Sequence, residues 1–389
     1  MKTLTQKVPL GYKQTEIGVI PADWDVKRLR DIVQFNNGKA HEQFIDDKGN
    51  YVVVNSKFIS TKGEVFKTSG KNLSPLFVGD VVMVMSDIPN GKALAKCFFI
   101  RENGKYTLNQ RICSFKPINS NSLYLFYKLN RNKYFLDFDS GVGQTNLKKS
   151  EVLDCPVVLP PDKTEQTAIA TVLSDADALI KKLEKLIEKK KRIKQGMMQE
   201  LLTGKRRLPG FSDKWETKKL RELLDYEQPT KYLVKDTEYS DNNNIPVLTA
   251  GKTFVLGYTV EESGVFQNLP TIIFDDFTTA TKYVDFPFKA KSSAMKMLIP
   301  KSEGINLKFV FGKMQLIDFK LGGHKRYWIS EYQNIEINIP KPDEQTAIAK
   351  IISSMDAEIE KLESQLTKYQ NIKQGMMQTL LTGKIRLVK

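Results

Sequence analysis

Apolar residues fall at steps of three and four over two long stretches. The first runs through Ala176, Ile180, Leu183, Ile187, Lys190, Ile193, Met197 and Leu201, with only the lysine out of character; the second runs through Met355, Ile359, Leu362, Leu366, Tyr369, Ile372, Met376 and Leu380. This spacing draws one narrow apolar stripe along a helix, the pattern of a coiled-coil seam. About thirty-five residues at 1.5 Å each make a rod of about 50 Å, well beyond an average globular helix. Its natural partner is its own twin. Proline signals, LPPD from Leu159 and IPKPD from Ile339, place both helix starts, because proline suits a first turn and keeps the preceding residue out of helical geometry. Thr203-Gly204 and Thr382-Gly383 place the ends, with glycine supplying the left-handed cap.

Between these stretches the pattern shortens to β-branched and aromatic runs bounded by Gly, Asn and Pro. YVVVNSKFI from Tyr51, DVVMVMS from Asp80 and KCFFI from Lys96 read as strands, and TIIFDDF from Thr271, SAMKMLIP from Ser293 and LKFVFGKM from Leu307 read the same way. NSLYLFYKLNRNKYFLDF from Asn121 reads as helical and is expected to pack on the first sheet. The resulting class is α+β: two mixed strand-and-helix domains separated by two long repeated helices, whose stripes are expected to pair as a coiled coil. The expected boundaries are a lead-in segment at 1–23, a first domain at 24–158, a helical spacer at 159–207, a second domain at 208–338 and a second spacer at 339–389.

The helical stretches are also repeated as sequence. IKQGMMQELLTGK from Ile193 and IKQGMMQTLLTGK from Ile372 differ only at Glu200 and Thr379, and EQTAIA at Glu165 returns at Glu344, an offset of 179 residues. Trp24 and Trp215 open the two domains, each five residues before a leucine, Leu29 or Leu220. Their separation is 191 residues, so the first domain is about a dozen residues longer while the helices keep register. Gly196 and Gly375 sit inside the helices at equivalent points. Glycine there costs about 1 kcal/mol relative to alanine, which suggests close contact with either the twin helix or a partner.

Composition adds a formal charge of +15 over 389 residues, favouring a polyanionic partner. No long apolar run and no export-type segment near Met1 argue against a membrane, so the cytoplasm is the expected location. Cys97, Cys113 and Cys155 lack metal-ligand spacing and read as buried small hydrophobes. The lysines of the first helix (Lys181, Lys182, Lys185, Lys189, Lys190, Lys191 with Arg192) read first as a solvated face, and otherwise as a rail for nucleic acid or a partner.

The apparent catalytic motifs fail on inspection. AGKT at Ala250 has Pro246 where a phosphate loop needs glycine. His41 and His324 lie in different domains, away from any carboxylate or cysteine cluster, so a zinc site is not expected. Adjacent Asp275 and Asp276 on a strand point to opposite faces and read as a turn or exposed strand end. Neither an amino-methylase nor a nuclease signature is present.

What remains is a recognition inventory. The first domain offers Lys92, Lys96, Arg101, Lys105, Asn109, Gln110 and Arg111, then Gln144, Asn146, Lys148 and Lys149 in a closing loop. The second offers Lys252, Thr278, Thr279, Lys282, Tyr283, Lys289 and Lys291, then His324, Lys325, Arg326 and Tyr327 in its closing loop. Amides and arginines near turns read base edges, while lysines mainly hold phosphates. The partner-facing and seam residues are Ile180, Leu183, Ile187, Gly196, Met197 and Leu201, with Ile359, Leu362, Leu366, Gly375, Met376 and Leu380 as their counterparts.

Taken together, the paired tryptophan openings, the paired proline-to-Glu-Gln junctions at Glu165-Gln166 and Glu344-Gln345, and the paired blocks Gln195–Lys205 and Gln374–Lys384 resemble the DNA-specificity subunit of type I restriction-modification systems. YKQTEIG from Tyr12 resembles that family's lead into its first recognition domain. The resemblance implies two target-recognition domains, each reading half of a split, asymmetric site in double-stranded DNA, separated by an antiparallel coiled coil of the two repeated helices with internal pseudo-twofold symmetry. It implies a non-catalytic chain, itself without cofactor or metal, that organises two modification subunits and the restriction subunits. The former methylate adenine N6 from S-adenosylmethionine; the latter use ATP and magnesium to translocate and cleave. The competing reading is a non-catalytic coiled-coil scaffold holding two protein-binding modules.

Overall fold

The computed structural model describes residues 8–88, 91–251, 253–322 and 325–387. They divide into two compact units: residues 1–183 with 365–389, and residues 184–364. Each unit therefore contains the start of one long helix and the end of the other.

In the first unit, strands Val33–Asn37, Ile112–Pro117, Val81–Val84 and Cys97–Phe99 form an antiparallel sheet in that order. Both faces are covered. Val81 and Met83 point into a core with helix Ser122–Leu129, while Val82 and Val84 point into a second core beneath a small sheet of Tyr106–Leu108, Tyr51–Val54 and Lys67–Ser69. Strict alternation with both sides apolar is why VVMV carries no polar residue. The second unit repeats this order with Leu224–Glu227, Met295–Pro300, Thr271–Asp275 and Thr281–Val284, and again carries a small sheet, Val255–Thr259, Ile245–Leu248 and Lys289–Ala290, on one face.

Two expectations change. LKFVFGKM is a helix, Leu307–Met314, rather than a strand. Its β-rich composition is overridden by the Asn306 side chain, which accepts the Phe309 N–H as an N-cap, and by Leu307, Val310 and Met314 falling on one buried face. The stretch from Asn121 breaks into Ser122–Leu129 and Lys133–Leu136. Asn130 turns its side chain to the Cys97 N–H, and Arg131 adopts a left-handed φ of 57°.

The long helices are Lys163–Thr203 and Pro342–Leu380. Gly204 and Gly383 follow with φ of 74° and 72°, as the cap requires. In the second unit Lys190 pairs with Glu358 at 2.7 Å, and Lys194 with Asp356, so one number falls as the other rises. In the same unit Leu201 and Leu202 share a core with Ile348, Ala349 and Ile352. In the first unit Lys373 pairs with Asp177 at 2.6 Å, and Ile169 and Leu173 share a core with Leu380 and Leu381. Of the seam residues, Ile180, Ile187, Leu201, Ile359 and Leu380 are buried, and Leu183, Met197, Leu362, Leu366 and Met376 are half-buried. Ile193 and Ile372 are instead 44% and 43% exposed. A straight helix turns away from a strict seven-residue stripe by about 20° per heptad, so a stripe read from sequence overshoots the contact.

The repeated Glu-Gln junctions now have a physical account. Glu165 and Glu344 are 1% and 2% exposed. Glu165 accepts the Trp24 indole N–H at 3.3 Å and both arms of Arg386 at 2.6 and 2.8 Å, while Arg386 also grips Asp23. Glu344 accepts from Trp215 at 3.2 Å and from Arg207 twice at 2.7 Å. Gln166 and Gln345 accept the N–H groups of Asn121 and Asn306 and donate back to Pro160 and Pro340. Lys128 and Lys313 complete the pattern by donating to the carbonyls of Leu381 and Leu202, the final turns of the opposite helices.

Candidate nucleic-acid interface

In the first unit, three separated segments meet at the end of strand Val81–Val84. Ser86 and Asp87 pair antiparallel with Asn146 and Thr145, joining the loop after that strand to the closing loop. Asp87 shapes its own loop: one oxygen accepts the backbone N–H groups of Ala93 at 2.6 Å and Leu94 at 3.0 Å, and the other accepts that of Ile88. A Cβ on Gly91 would lie 2.3 Å from this carboxyl group, so a larger residue there would push the carboxylate out of its loop contacts. The third segment is the turn Asn109–Ile112, closed by the Ile112 N–H to the Asn109 carbonyl.

These segments line a cleft of about 550 Å³. Asn109, Gln110, Arg111 and Gln144 all lie on it, beside Ser86 and Asp87, which sequence reasoning had not singled out. Glu42, Lys57 and Lys67, also unforeseen, lie on its wall. Gln110 donates to Glu42 at 2.8 Å. Gln144 Nε2 donates to Ser86 Oγ at 2.7 Å, and Ser86 in turn donates to Asn146 Oδ1 at 2.6 Å. Asn109 Oδ1 is buried without a hydrogen-bond partner. Arg111 is exposed and stands at a φ of 67°, a left-handed position that costs a non-glycine residue about 1–2 kcal/mol.

Other candidates in this unit do not line the cleft. Lys92 and Arg101 are exposed, with Arg101 over the Phe99 ring, and Lys96 is half-buried. Lys105 pairs with Glu102. Lys148 stands before the short helix Lys149–Leu153 with its backbone N–H donating to Glu151 at 2.7 Å, and Lys149 lies over Phe35.

The second unit assembles its loops around Asp276. Asp275 accepts the N–H groups of Phe277 and Thr278 and so caps the turn carrying Thr278 and Thr279, in keeping with a turn. Asp276 is not exposed: at 1% accessibility it faces Lys296, itself 0% exposed, at 3.1 Å, and accepts the Trp328 N–H at 2.9 Å. The Lys296 ammonium also lies over the Tyr226 ring. Asp276 thereby ties the Thr278-Thr279 turn to the short helix Tyr327–Ser330. Thr279 has a φ of 56°, an outlying position for a β-branched residue.

Tyr327 requires correction: it is fully buried, its ring against Phe319 and its hydroxyl accepting the Gly322 N–H. It holds the closing loop instead of presenting a surface. Lys289 is likewise buried, paired with Glu261 at 2.7 Å. Glu261 is pulled down to about 2 by the backbone N–H of Asp236 and by Lys289. Lys325 pairs with Glu331, while Arg326 and Lys282 remain exposed, Lys282 over Phe254. Tyr283 is half-buried beneath Lys308, and Lys291 lies over Tyr239. Lys252 and His324 lie outside the described residues.

A Cβ added at Gly196 or Gly375 would meet nothing within 4 Å. Contact with the twin helix therefore does not explain either glycine. No described helix is long and apolar enough to cross a membrane.

The family model for the type I restriction modification DNA specificity domain matches twice, over residues 21–195 and 212–369. The chain belongs to this family. Over 181 residues it is 46% identical to the type I restriction enzyme EcoR124I/EcoR124II specificity subunit of Escherichia coli, covering 43% of this chain and 44% of that one. It is 26% identical to the MjaVIII specificity subunit of Methanocaldococcus jannaschii, covering 95% and 94%. The crystal structure of the S subunit of a type I restriction-modification system from M. genitalium shares the fold of this specificity-domain chain, with a TM-score of 0.66 and 16% identity over 92% and 96% of the two chains.

Proposed function

We propose that the chain is the non-catalytic, sequence-reading subunit of a type I restriction-modification complex, and that each unit reads one half of a bipartite, asymmetric target in double-stranded DNA. The observation that carries this reading is the pair of unlike polar loop clusters, one around Ser86, Gln110, Arg111 and Gln144, the other around Thr278, Thr279 and Arg326, each mounted at the same place on a sheet of the same order. Their partners are two modification subunits, which methylate adenine N6 in a flipped base, and restriction subunits acting in the cytoplasm. Residues 24–158 and 208–338 serve as the recognition domains, and 159–207 with 339–389 as the spacers.

The long helices are proposed to run as an antiparallel coiled coil that gives the chain a pseudo-twofold scaffold. The falling register of Lys190–Glu358 and Lys194–Asp356, and the Lys373–Asp177 pair, support this. The open space at Gly196 and Gly375 favours contact with the modification subunits there. The deciding experiment assembles the chain with its modification subunits, selects from a randomised duplex library and maps the methylated adenines. Two half-sites separated by unspecified bases are expected; retention without sequence preference would favour a simple scaffold.

A further inference from the structure

The cleft in the first unit is built for base edges more than for phosphates. Phosphate oxygens only accept hydrogen bonds, whereas this cleft presents acceptors beside donors: the Glu42 carboxylate and the side-chain oxygens of Gln110 and Gln144, whose amide nitrogens are already engaged with Glu42 and Ser86. Ser86 bridges Gln144 to Asn146. Its hydroxyl accepts from Gln144 Nε2 and gives its one proton to Asn146 Oδ1. Gln144 is left with Oε1 and one N–H, the pair that matches adenine N6 and N7 in the major groove. Arg111, held at its left-handed turn position, has no ion pair among the described residues, and its planar fork matches guanine O6 and N7.

We infer that Gln144 and Arg111 are specificity-determining residues for the first half-site, Gln144 reading an adenine and Arg111 a guanine, with Ser86 as the positioning residue for Gln144. This rests on the DNA-specificity reading given above and names its contacts. Ser86 itself needs no base contact: losing its hydroxyl frees the Gln144 amide to rotate, so discrimination weakens at Gln144's base pair alone.

The test uses the full complex with its modification subunits, a randomised duplex library and sequencing of bound DNA. Gln144→Ala is expected to relax one A·T position in one half-site, with a loss of discrimination of about tenfold to a hundredfold, and Arg111→Ala to relax one G·C position in the same half-site. Ser86→Ala is expected to relax the Gln144 position partially, and Ser86→Thr to restore it. Arg326→Ala, in the second unit, should leave that half-site intact. A wild-type complex that enriches no motif overturns the DNA-specificity reading itself. A wild-type motif that survives both Gln144→Ala and Arg111→Ala, or that weakens uniformly with a shallower salt dependence, overturns this inference alone, since uniform weakening is the mark of phosphate contacts.

Discussion

Glu165 is buried with its charge matched by Arg386, which lies 221 positions along the chain. Removing one partner of such a pair strands the other, at a cost of about 3–5 kcal/mol. Arg386→Ala is accordingly expected to destabilise the first unit selectively, seen as faster amide hydrogen exchange in peptides around Trp24 and Leu173; uniform exchange across both units would contradict it. Lys128 gives a pH signature. Burial lowers its pKa from 10.5 to about 8, so between those values the unfolded chain holds a proton that the folded chain has released. Stability then rises as pH climbs from about 8 towards 10.5. Urea titrations of Lys128→Met should lose that rise, and an unchanged slope would remove Lys128 as its source. Little of this was legible in the sequence. The Glu-Gln junctions stood out as repeats, but nothing in EQTAIA says that the glutamate is buried or which arginine answers it.

At the scale of elements, the long helices could be read nearly to their ends because periodicity, proline starts and glycine caps are local signals. The helix Leu307–Met314 was hidden because its aromatic and β-branched residues carry strand propensity, which packing and the Asn306 cap override. Gly196 and Gly375 separate intrinsic preference from partner contact. Their open surroundings mean that Gly196→Ala and Gly375→Ala should each stabilise the chain by up to about 1 kcal/mol. If modification subunits approach closely there, the same changes should weaken their association. Calorimetric melting and titration with the modification subunit measure the two effects, and a raised melting temperature with undiminished affinity would place the subunit elsewhere.

For the whole molecule, the proposed coiled coil would act as a ruler between the two half-sites, since one turn of DNA advances about 34–36 Å. Adding one helical turn, about four residues, to both long helices should lengthen the unspecified spacer and leave both half-sites unchanged. Methylation mapping of the altered complex reads this directly; an unchanged spacer would refute it. Replacing residues 25–158 by another recognition domain should alter one half-site only.

The sequence by itself determined the repeat, the two long helices with their caps and the short apolar runs that form the central strands. These follow from short-range periodicity or from exact repetition of letters. Tertiary structure decided which polar residues meet. Ser86 finds Gln144 and Asn146, Asp276 finds Lys296 and Trp328, and Tyr327 turns inward because pairing between distant strands and loops places them there. A side chain's neighbours across twenty or more residues depend on sheet order and loop closure, and no local pattern encodes them.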